Sequence, residues 1–143
     1  MSKRVFYWDT SALLALVFQE SHTKSVRSFL ESESALPGHT SFFSVVEMES
    51  ALHRRVAENS LIGELTEVRL QMKRLEAGLS LIWVAQDMLA SCRKSIMEYG
   101  LRPGDALQLA SALALTADHD LVLVSLDDRL NKAARASQLS CAF

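Results

Sequence analysis

The stretch "VFYWDTSALLAL", residues 5–16, decides the fold of this 143-residue chain. Val5 to Trp8 is a continuous run of bulky apolar and aromatic residues, which is typical of a strand buried on both faces of a parallel sheet. Asp9 interrupts the apolar pattern, which resumes at helical spacing from Ser11 to Gln19. Ligands of such sheets usually bind at the carboxyl ends of the strands. Asp9 is therefore either a cap of the following helix or part of a functional site.

The rest of the chain continues to alternate apolar strands with amphipathic helices. We predict strands at Leu79–Ala85 and in "LVLVS", a turn or short strand in "ALPGHTS", and a candidate edge strand in the final "CAF". The remaining predicted helices are His22–Glu33, Phe42–Glu58, Leu61–Ala77, Gln86–Tyr99, one beginning at Pro103, and one in "LDDRLNKAARASQL". This alternation predicts an α/β fold with a parallel sheet covered on both faces by helices, in a single domain over residues 1–143.

The composition excludes several classes of protein. With 49% hydrophobic and 22% charged residues, the chain has the composition of a globular domain. Its net charge of −2 gives no overall attraction to nucleic acid. We find no secretory signal and no apolar run long enough to span a membrane, and we expect a cytoplasmic protein. Cys92 and Cys141 form no C-x-x-C pair, which favours packing roles over a zinc or redox site.

Four acidic residues are predicted to meet at the carboxyl edge of the sheet. Asp9 ends the first strand, Asp127 follows "LVLVS", Asp105 opens the helix after "RPG", and Glu47 lies on a helix beside them. Three of them have an alternative explanation, because Asp9 and Asp127 could be helix caps and Asp105 could favour the positive end of its helix. Glu47 lies on an otherwise apolar stripe, where an unpaired carboxylate is costly, whereas Glu49 is expected to be solvated.

Such a cluster of carboxylates requires a compensating charge. Two carboxylates about 4 Å apart repel by roughly 1 kcal/mol in water and about 4 kcal/mol at an effective dielectric constant of 20. Either protons or a cation must offset this repulsion. A site of oxygen ligands without histidine or cysteine favours Mg²⁺ or Mn²⁺ over zinc. The acids therefore predict either carboxyl groups with raised pKa values or a site for a hard divalent cation.

Four ordered motifs point to a known family. The segments "WDTSALLAL", "SVVEMESALHRR", "LRPGDALQLASALAL" and "LVSLDDRL" resemble the four motifs of the PIN domain. The likeness extends from about residue 4 to residue 139 and is greatest to the single-domain VapC toxins of toxin–antitoxin pairs. It implies a three-layer α/β/α PIN-like fold with a central parallel sheet of about four or five strands. It also implies metal-dependent endonucleolytic cleavage of RNA.

The resemblance also assigns roles to individual residues. Asp9, Glu47, Asp105 and Asp127 match the family's acidic positions and are expected to be both catalytic and metal-binding, with Mg²⁺ or Mn²⁺ as the cofactor. Four residues are candidates for support of the site: Ser125, Thr10, Ser11 and Asp128. The spacing from Ser125 to Asp128 also fits a capping box, and Thr10 and Ser11 could simply begin a helix.

The resemblance further implies three partners: an RNA substrate, a cognate antitoxin protein and a second copy of the chain in a homodimer. We expect basic residues at the rim to hold RNA phosphates, with Arg54, Arg55, Arg102 and Arg129 as candidates. Two other functions stay open. The domain could be a non-catalytic protein-interaction module, or a receiver-type phosphoryl-transfer domain, although the latter does not explain Glu47 within a helix.

Overall fold

Five parallel strands form the centre of the computed structural model, which describes residues 3–143. The strands are β1 (Arg4–Trp8), β2 (Gly38–Ser41), β3 (Leu79–Ile82), β4 (Asp120–Val124) and β5 (Ser140–Cys141). Their order across the sheet is β3-β2-β1-β4-β5, and every neighbouring pair is parallel. The predicted parallel sheet of four or five strands is thereby confirmed.

Helices cover both faces of this sheet. They are α1 (Thr10–Val17), α2 (Thr23–Glu33), α3 (Phe42–Ala57), α4 (Leu65–Ala77), α5 (Met88–Tyr99), α6 (Pro103–Leu113) and α7 (Asp128–Ala136). Buried residues of α1 to α4 share one apolar cluster with Phe6 and Trp8, and residues of α5 to α7 share a second cluster with Tyr7. Successive side chains of a strand point to opposite faces, so "VFYW" supplies both cores. This is a three-layer α/β/α arrangement.

The chain changes direction across the sheet at β1. From β1 it proceeds through β2 to β3 on one side, and it then crosses to β4 on the other side. Trp8 and Val124, the last residues of β1 and β4, are partners in the ladder. In open α/β sheets, the crevice beyond the strand ends at such a reversal is the usual ligand site. The residues after Trp8 and Val124 border that crevice.

Several predicted boundaries are wrong by a few residues. The predicted strand Leu79–Ala85 ends at Ile82, because its partner β2 ends at Ser41, where α3 begins. The predicted helix Leu61–Ala77 begins only at Leu65, since the preceding loop contains Gly63 with a φ of 94°. The predicted edge strand in "CAF" lies one residue earlier than expected, at Ser140–Cys141.

The remaining differences are smaller. The helix predicted for Gln86–Tyr99 begins at Met88, and the first helix runs from Thr10 to Val17. Cys92 and Cys141 are free thiols that border or belong to the second apolar cluster, as expected for packing residues. Among residues 3–143, no helix combines the length and apolar character needed to cross a membrane. The single domain over residues 1–143 stays a prediction.

Candidate active site at the carboxyl edge of the sheet

Asp9 lies at the reversal point, immediately after β1. Its backbone N–H donates to the carbonyl of Val124 at 3.0 Å, which fixes it beside the end of β4. The hydroxyls of Ser11 and Ser125 donate to its Oδ2 at 2.7 and 2.8 Å. Although Asp9 occupies the N-cap position of α1, its side chain forms no capping hydrogen bond. The interpretation of Asp9 as a helix cap is therefore wrong for its side chain.

The carboxyl group of Asp9 is buried, with only 5% of the residue exposed. Burial, the largest cause, and the nearby charges of Glu47 and Asp105 together raise its pKa to about 6, although the two hydroxyl hydrogen bonds oppose the shift. Among residues 3–143, no basic side chain forms an ion pair with Asp9. The raised pKa of Asp9 is one of the two outcomes predicted for such a cluster of carboxylates.

Glu47 approaches the same edge from α3. Ser41 caps this helix by accepting from the N–H of Phe43, so its first turns lie beside the end of β2. Oε1 of Glu47 accepts from the hydroxyl of Thr10 at 2.7 Å and from the amide of Gln108 at 3.3 Å. Thr10 and Ser11, adjacent in the chain, thus orient two different acids.

A buried polar network beneath Glu47 was not predicted from the sequence. Gln108 has no exposed surface, and its Oε1 accepts from the Tyr7 hydroxyl at 2.6 Å. Its amide also donates to Thr10 at 3.1 Å and to Ser44 at 2.9 Å. A sequence signal for it exists, because Gln108 is a polar residue one turn after Asp105 on a helix otherwise rich in alanine and leucine.

Asp127 and Asp105 complete the set of acids. Oδ1 of Asp127 accepts from the N–H of Leu130 at 2.9 Å and caps α7. Helix capping was one of the two roles considered for this residue from the sequence. Its Oδ2 faces the guanidinium of Arg102 at 3.5 Å, and the same guanidinium faces Oδ2 of Asp105 at 3.4 Å. Burial and the charge of Asp127 raise the pKa of Asp105, while Arg102 opposes the shift. Capping and membership of the acidic site are thus compatible for Asp127.

Ser125 connects two of the acids. Its hydroxyl donates to Asp9 and accepts from the N–H of Asp127 at 3.1 Å. The capping box between Ser125 and Asp128 is wrong, because the N-cap of α7 is Asp127. Asp128 is exposed and borders a separate cavity with Tyr99. Within residues 3–143, no hydrogen bond or ion pair joins Asp128 to the four acids.

The donor atoms of the site are of the kind that a hard cation prefers, but within residues 3–143 they are not close enough together to surround an ion. The acids and hydroxyls offer only oxygen, which Mg²⁺ and Mn²⁺ prefer. The carboxylate of Asp9 is buried and forms no ion pair with any of the described residues, and a divalent ion would supply the charge that this arrangement lacks. No group of three or more His, Cys, Asp or Glu side chains in the described part of the chain is gathered closely enough to hold a metal ion. The residue types therefore fit, and the acids would have to draw together around the ion.

The candidate phosphate-binding arginines differ in their surroundings. Arg55 forms an ion pair with Glu20 at 2.8 Å and lies over the ring of Phe18, so it is engaged in packing and is a poor candidate. Arg54 and Arg129 are exposed. Arg102 faces the acids, as described above. Glu49 is exposed and paired with Arg69, as expected for a solvated acid.

Comparisons with known proteins agree with this geometry. A family model described as the PIN domain matches residues 6–136. A toxin–antitoxin complex from Klebsiella pneumoniae contains a chain of similar structure, with a TM-score of 0.60 and 20% identity over 90% of this chain and 88% of that one. VapBC2 from Rickettsia felis, bound to a DNA fragment from its promoter, contains a chain that matches with a TM-score of 0.65 and 14% identity over 96% of both chains.

VapBC-1 from nontypeable Haemophilus influenzae gives a TM-score of 0.64 and 13% identity, again over 96% of both chains. At these identities the likeness to solved structures shows the fold alone. No curated protein sequence matches the chain significantly. The family match spans most of the chain and contains all four acids. The chain belongs to the PIN domain family.

Proposed function

We propose that this protein is a metal-dependent endoribonuclease that hydrolyses RNA phosphodiester bonds and acts as the toxin of a toxin–antitoxin pair in the cytoplasm. The observation that carries the proposal is the buried Asp9 carboxylate at the reversal of the sheet. It has a raised pKa and no ion-pair partner among residues 3–143. The charges of Glu47 and Asp105 act on it, and Ser125 connects it to Asp127. An unpaired buried carboxylate destabilises a fold, whereas a cation-binding site requires such a group.

Each acid has a proposed role. Asp9 and Asp105 are our candidates for direct ligands of Mg²⁺ or Mn²⁺, and Glu47 and Asp127 for ligands through water. When bound, the divalent cation supplies the charge that activates water and neutralises the phosphoryl group under attack. Ser11 and Ser125 hold the carboxylate of Asp9, and Thr10 holds that of Glu47. No side-chain nucleophile is required.

RNA recognition requires positive charge near the acids, which would otherwise repel the phosphates. Arg54 and Arg129 are exposed and remain candidates for this role, and the packing of Arg55 against Phe18 counts against it. Unpaired loops of RNA are the expected targets, because their bases are accessible to side chains.

A cleavage assay tests the proposal. Purified protein is incubated with an RNA that contains unpaired loops, with Mg²⁺, Mn²⁺ or EDTA. We expect cleavage only with a divalent cation, and a loss of at least about a hundredfold in Asp9→Asn. Glu49→Gln is the matched control, because Glu49 lies on the same helix as Glu47 but is exposed and paired with Arg69. Equal cleavage by wild type and Asp9→Asn, or in EDTA, would contradict the proposal.

We also propose an antitoxin partner, because similar folds occur in toxin–antitoxin and VapBC complexes. An apolar groove supports this proposal. It has a volume of about 270 Å³, is bordered by Val84, Leu89 and Ile96, and reaches Pro103, two residues before Asp105. A partner segment in this groove would lie beside the acids. Co-purification with the product of an adjacent small gene should be lost in Leu89→Glu and retained in Lys24→Glu.

We also propose that two copies of the chain form a homodimer. Large apolar side chains are exposed beyond the groove, including Trp83 at 66% and Met97 at 85% of their surface. Exposed apolar surface of this kind is common at protein interfaces. Light scattering on the isolated protein distinguishes a dimer of twice the 15.9 kDa chain mass from a monomer.

A non-catalytic interaction module is a second candidate function. The open arrangement of the acids, with no metal-holding group among the described residues, favours it. Calorimetric titration with Mn²⁺ separates the two functions. Binding at about one or two ions per chain, lost in Asp9→Asn, supports the nuclease, and no binding supports the module.

A further inference from the structure

Arg102 joins two of the acids across the edge of the sheet. Its Nε faces Asp105 at 3.4 Å, and its Nη2 faces Asp127 at 3.5 Å. The two carboxylates belong to different helices, since Asp105 lies in the first turn of α6 and Asp127 caps α7. The same guanidinium therefore balances both negative charges.

These two ion pairs are weak, because their distances are long and the Arg102 side chain is exposed to solvent. Both distances lie at the long end of hydrogen-bonding range, and the Arg102 side chain is 72% exposed, against 16% and 23% for its partners. Exposed pairs of this kind contribute little to stability. In addition, Arg102 precedes Pro103 in an extended conformation, and its side chain makes no capping hydrogen bond to α6. Nothing in these contacts makes Arg102 a structural anchor.

The contacted oxygens are those that a cation would need. Oδ1 of Asp127 is used in the cap of α7, so Oδ2, which faces Arg102, is the oxygen left for a ligand role. On Asp105, Oδ2 faces Arg102, and the charge of Asp127 acts on the same carboxyl group. A divalent cation between these carboxylates would be close to the guanidinium and would repel it.

We propose that Arg102 is an internal counter-ion of the acidic site, which holds Asp105 and Asp127 in the absence of metal and is displaced when a divalent cation binds. The inference rests on the proposed function, because it concerns the same acids. It makes Arg102 a positioning residue that sets the affinity for the cation. Arg102 becomes free to contact RNA only after its displacement.

Titration with Mn²⁺ by calorimetry tests this inference on the full chain. We expect Arg102→Gln to bind Mn²⁺ about fivefold more tightly than wild type, which corresponds to the loss of two weak exposed ion pairs. Arg129→Gln is the matched control. Its charge acts on Asp105, but within residues 3–143 it forms no ion pair with that residue, so we expect a change below about twofold.

A second measurement follows Arg102 itself. The ¹⁵N NMR signal of its Nε, identified by its absence in Arg102→Gln, should shift on addition of Mg²⁺ to wild type, whereas the Nε signal of Arg69 should not. If wild type binds Mn²⁺ but Arg102→Gln binds it no more tightly than Arg129→Gln, the counter-ion inference is wrong and the proposed function stands. If wild type binds no Mn²⁺, the metal-dependent function is wrong and the inference falls with it.

Discussion

Asp9 is held by two hydroxyl groups, with no ion pair to balance its charge among residues 3–143, and this has consequences for stability at neutral pH. Its pKa rises from the ordinary 3.8 to about 6, mainly through burial. The folded protein therefore binds the Asp9 proton more tightly than the unfolded chain does. By linkage, the contribution of Asp9 to stability falls as the pH rises from 3.8 to about 6 and stays low above that range.

We therefore expect Asp9→Asn to stabilise the metal-free protein at pH 7.5, because the amide has no charge to bury. A shift of this size corresponds to about 3 kcal/mol as an upper estimate. Urea unfolding in EDTA measures the free energy of unfolding at several pH values. The gain should shrink as the pH falls through about 6 and disappear only near pH 3, below the ordinary pKa of 3.8, where the wild-type carboxyl is mostly protonated in both states. Equal stability of the two proteins at pH 7.5 would contradict the raised pKa.

Gln108 connects the site to the core of the protein. Replacing it by leucine removes the acceptor of the buried Tyr7 hydroxyl and one hydrogen bond each from Ser44 and Thr10. We expect Gln108→Leu to lower the free energy of unfolding by about 3 kcal/mol. Gln71→Leu, at an exposed position on α4, is the control and should change it by less than about 0.5 kcal/mol. Similar losses in both variants would show that the network is not responsible.

At the scale of elements, two helices place their first turns at the acidic edge. Helix α7 begins at this edge because Asp127 caps it directly after β4. Helix α6 begins with Pro103, whose missing N–H has no cost at the first helical position, and Asp105 follows in the first turn. Carboxylates are favourable at the positive ends of helix dipoles. The residues that begin these helices are thus also residues of the candidate site.

Two substitutions of Asp127 separate its structural role from its charge. Asparagine caps helices as well as aspartate does, whereas alanine does not. We expect Asp127→Ala to lose about 1 kcal/mol of stability and Asp127→Asn to lose almost none. Divalent-dependent RNA cleavage should fall equally in both, because both lack the negative charge. Retention of cleavage in Asp127→Asn would assign this residue to capping alone.

At the scale of the whole molecule, the sheet separates two apolar cores. One contains Val26 with the residues of α1 to α4, and the other contains Leu139 with the residues of α5 to α7. Both side chains are buried, and β1 contributes alternate residues to each core. The cores are therefore packed independently, with the strands between them.

This separation predicts additive effects across the sheet. Val26→Ala and Leu139→Ala should each lower the free energy of unfolding by about 2 kcal/mol, through lost burial and a remaining cavity. Because no contact joins the two positions, the double variant should lose the sum to within about 0.5 kcal/mol. Chemical denaturation of the four proteins measures it. A larger deviation would mean that the sheet transmits strain between its faces.

The sequence patterns that repeat along one element were sufficient to predict most of this fold. The apolar run before Asp9 and the amphipathic helices gave the parallel sheet and its helical layers, since each pattern is local. The end of β3 at Ile82 depends on the length of its partner β2, which no local pattern contains. The position of Asp9 followed from the strand end, whereas the bridging contacts of Arg102 and Gln108 depend on neighbours distant in the chain.

The order of the strands in the chain limits when the candidate site can exist during synthesis. Asp9 is synthesised first, and its partner Ser125 follows 116 positions later. Until β4 has left the ribosome, one side of β1 has no neighbour and the hydroxyl that holds Asp9 is absent. A nascent or prematurely terminated chain thus carries three of the acids without the strand that unites them. The candidate site therefore stays incomplete until β4 and Ser125 have been synthesised and have paired with β1 and Asp9.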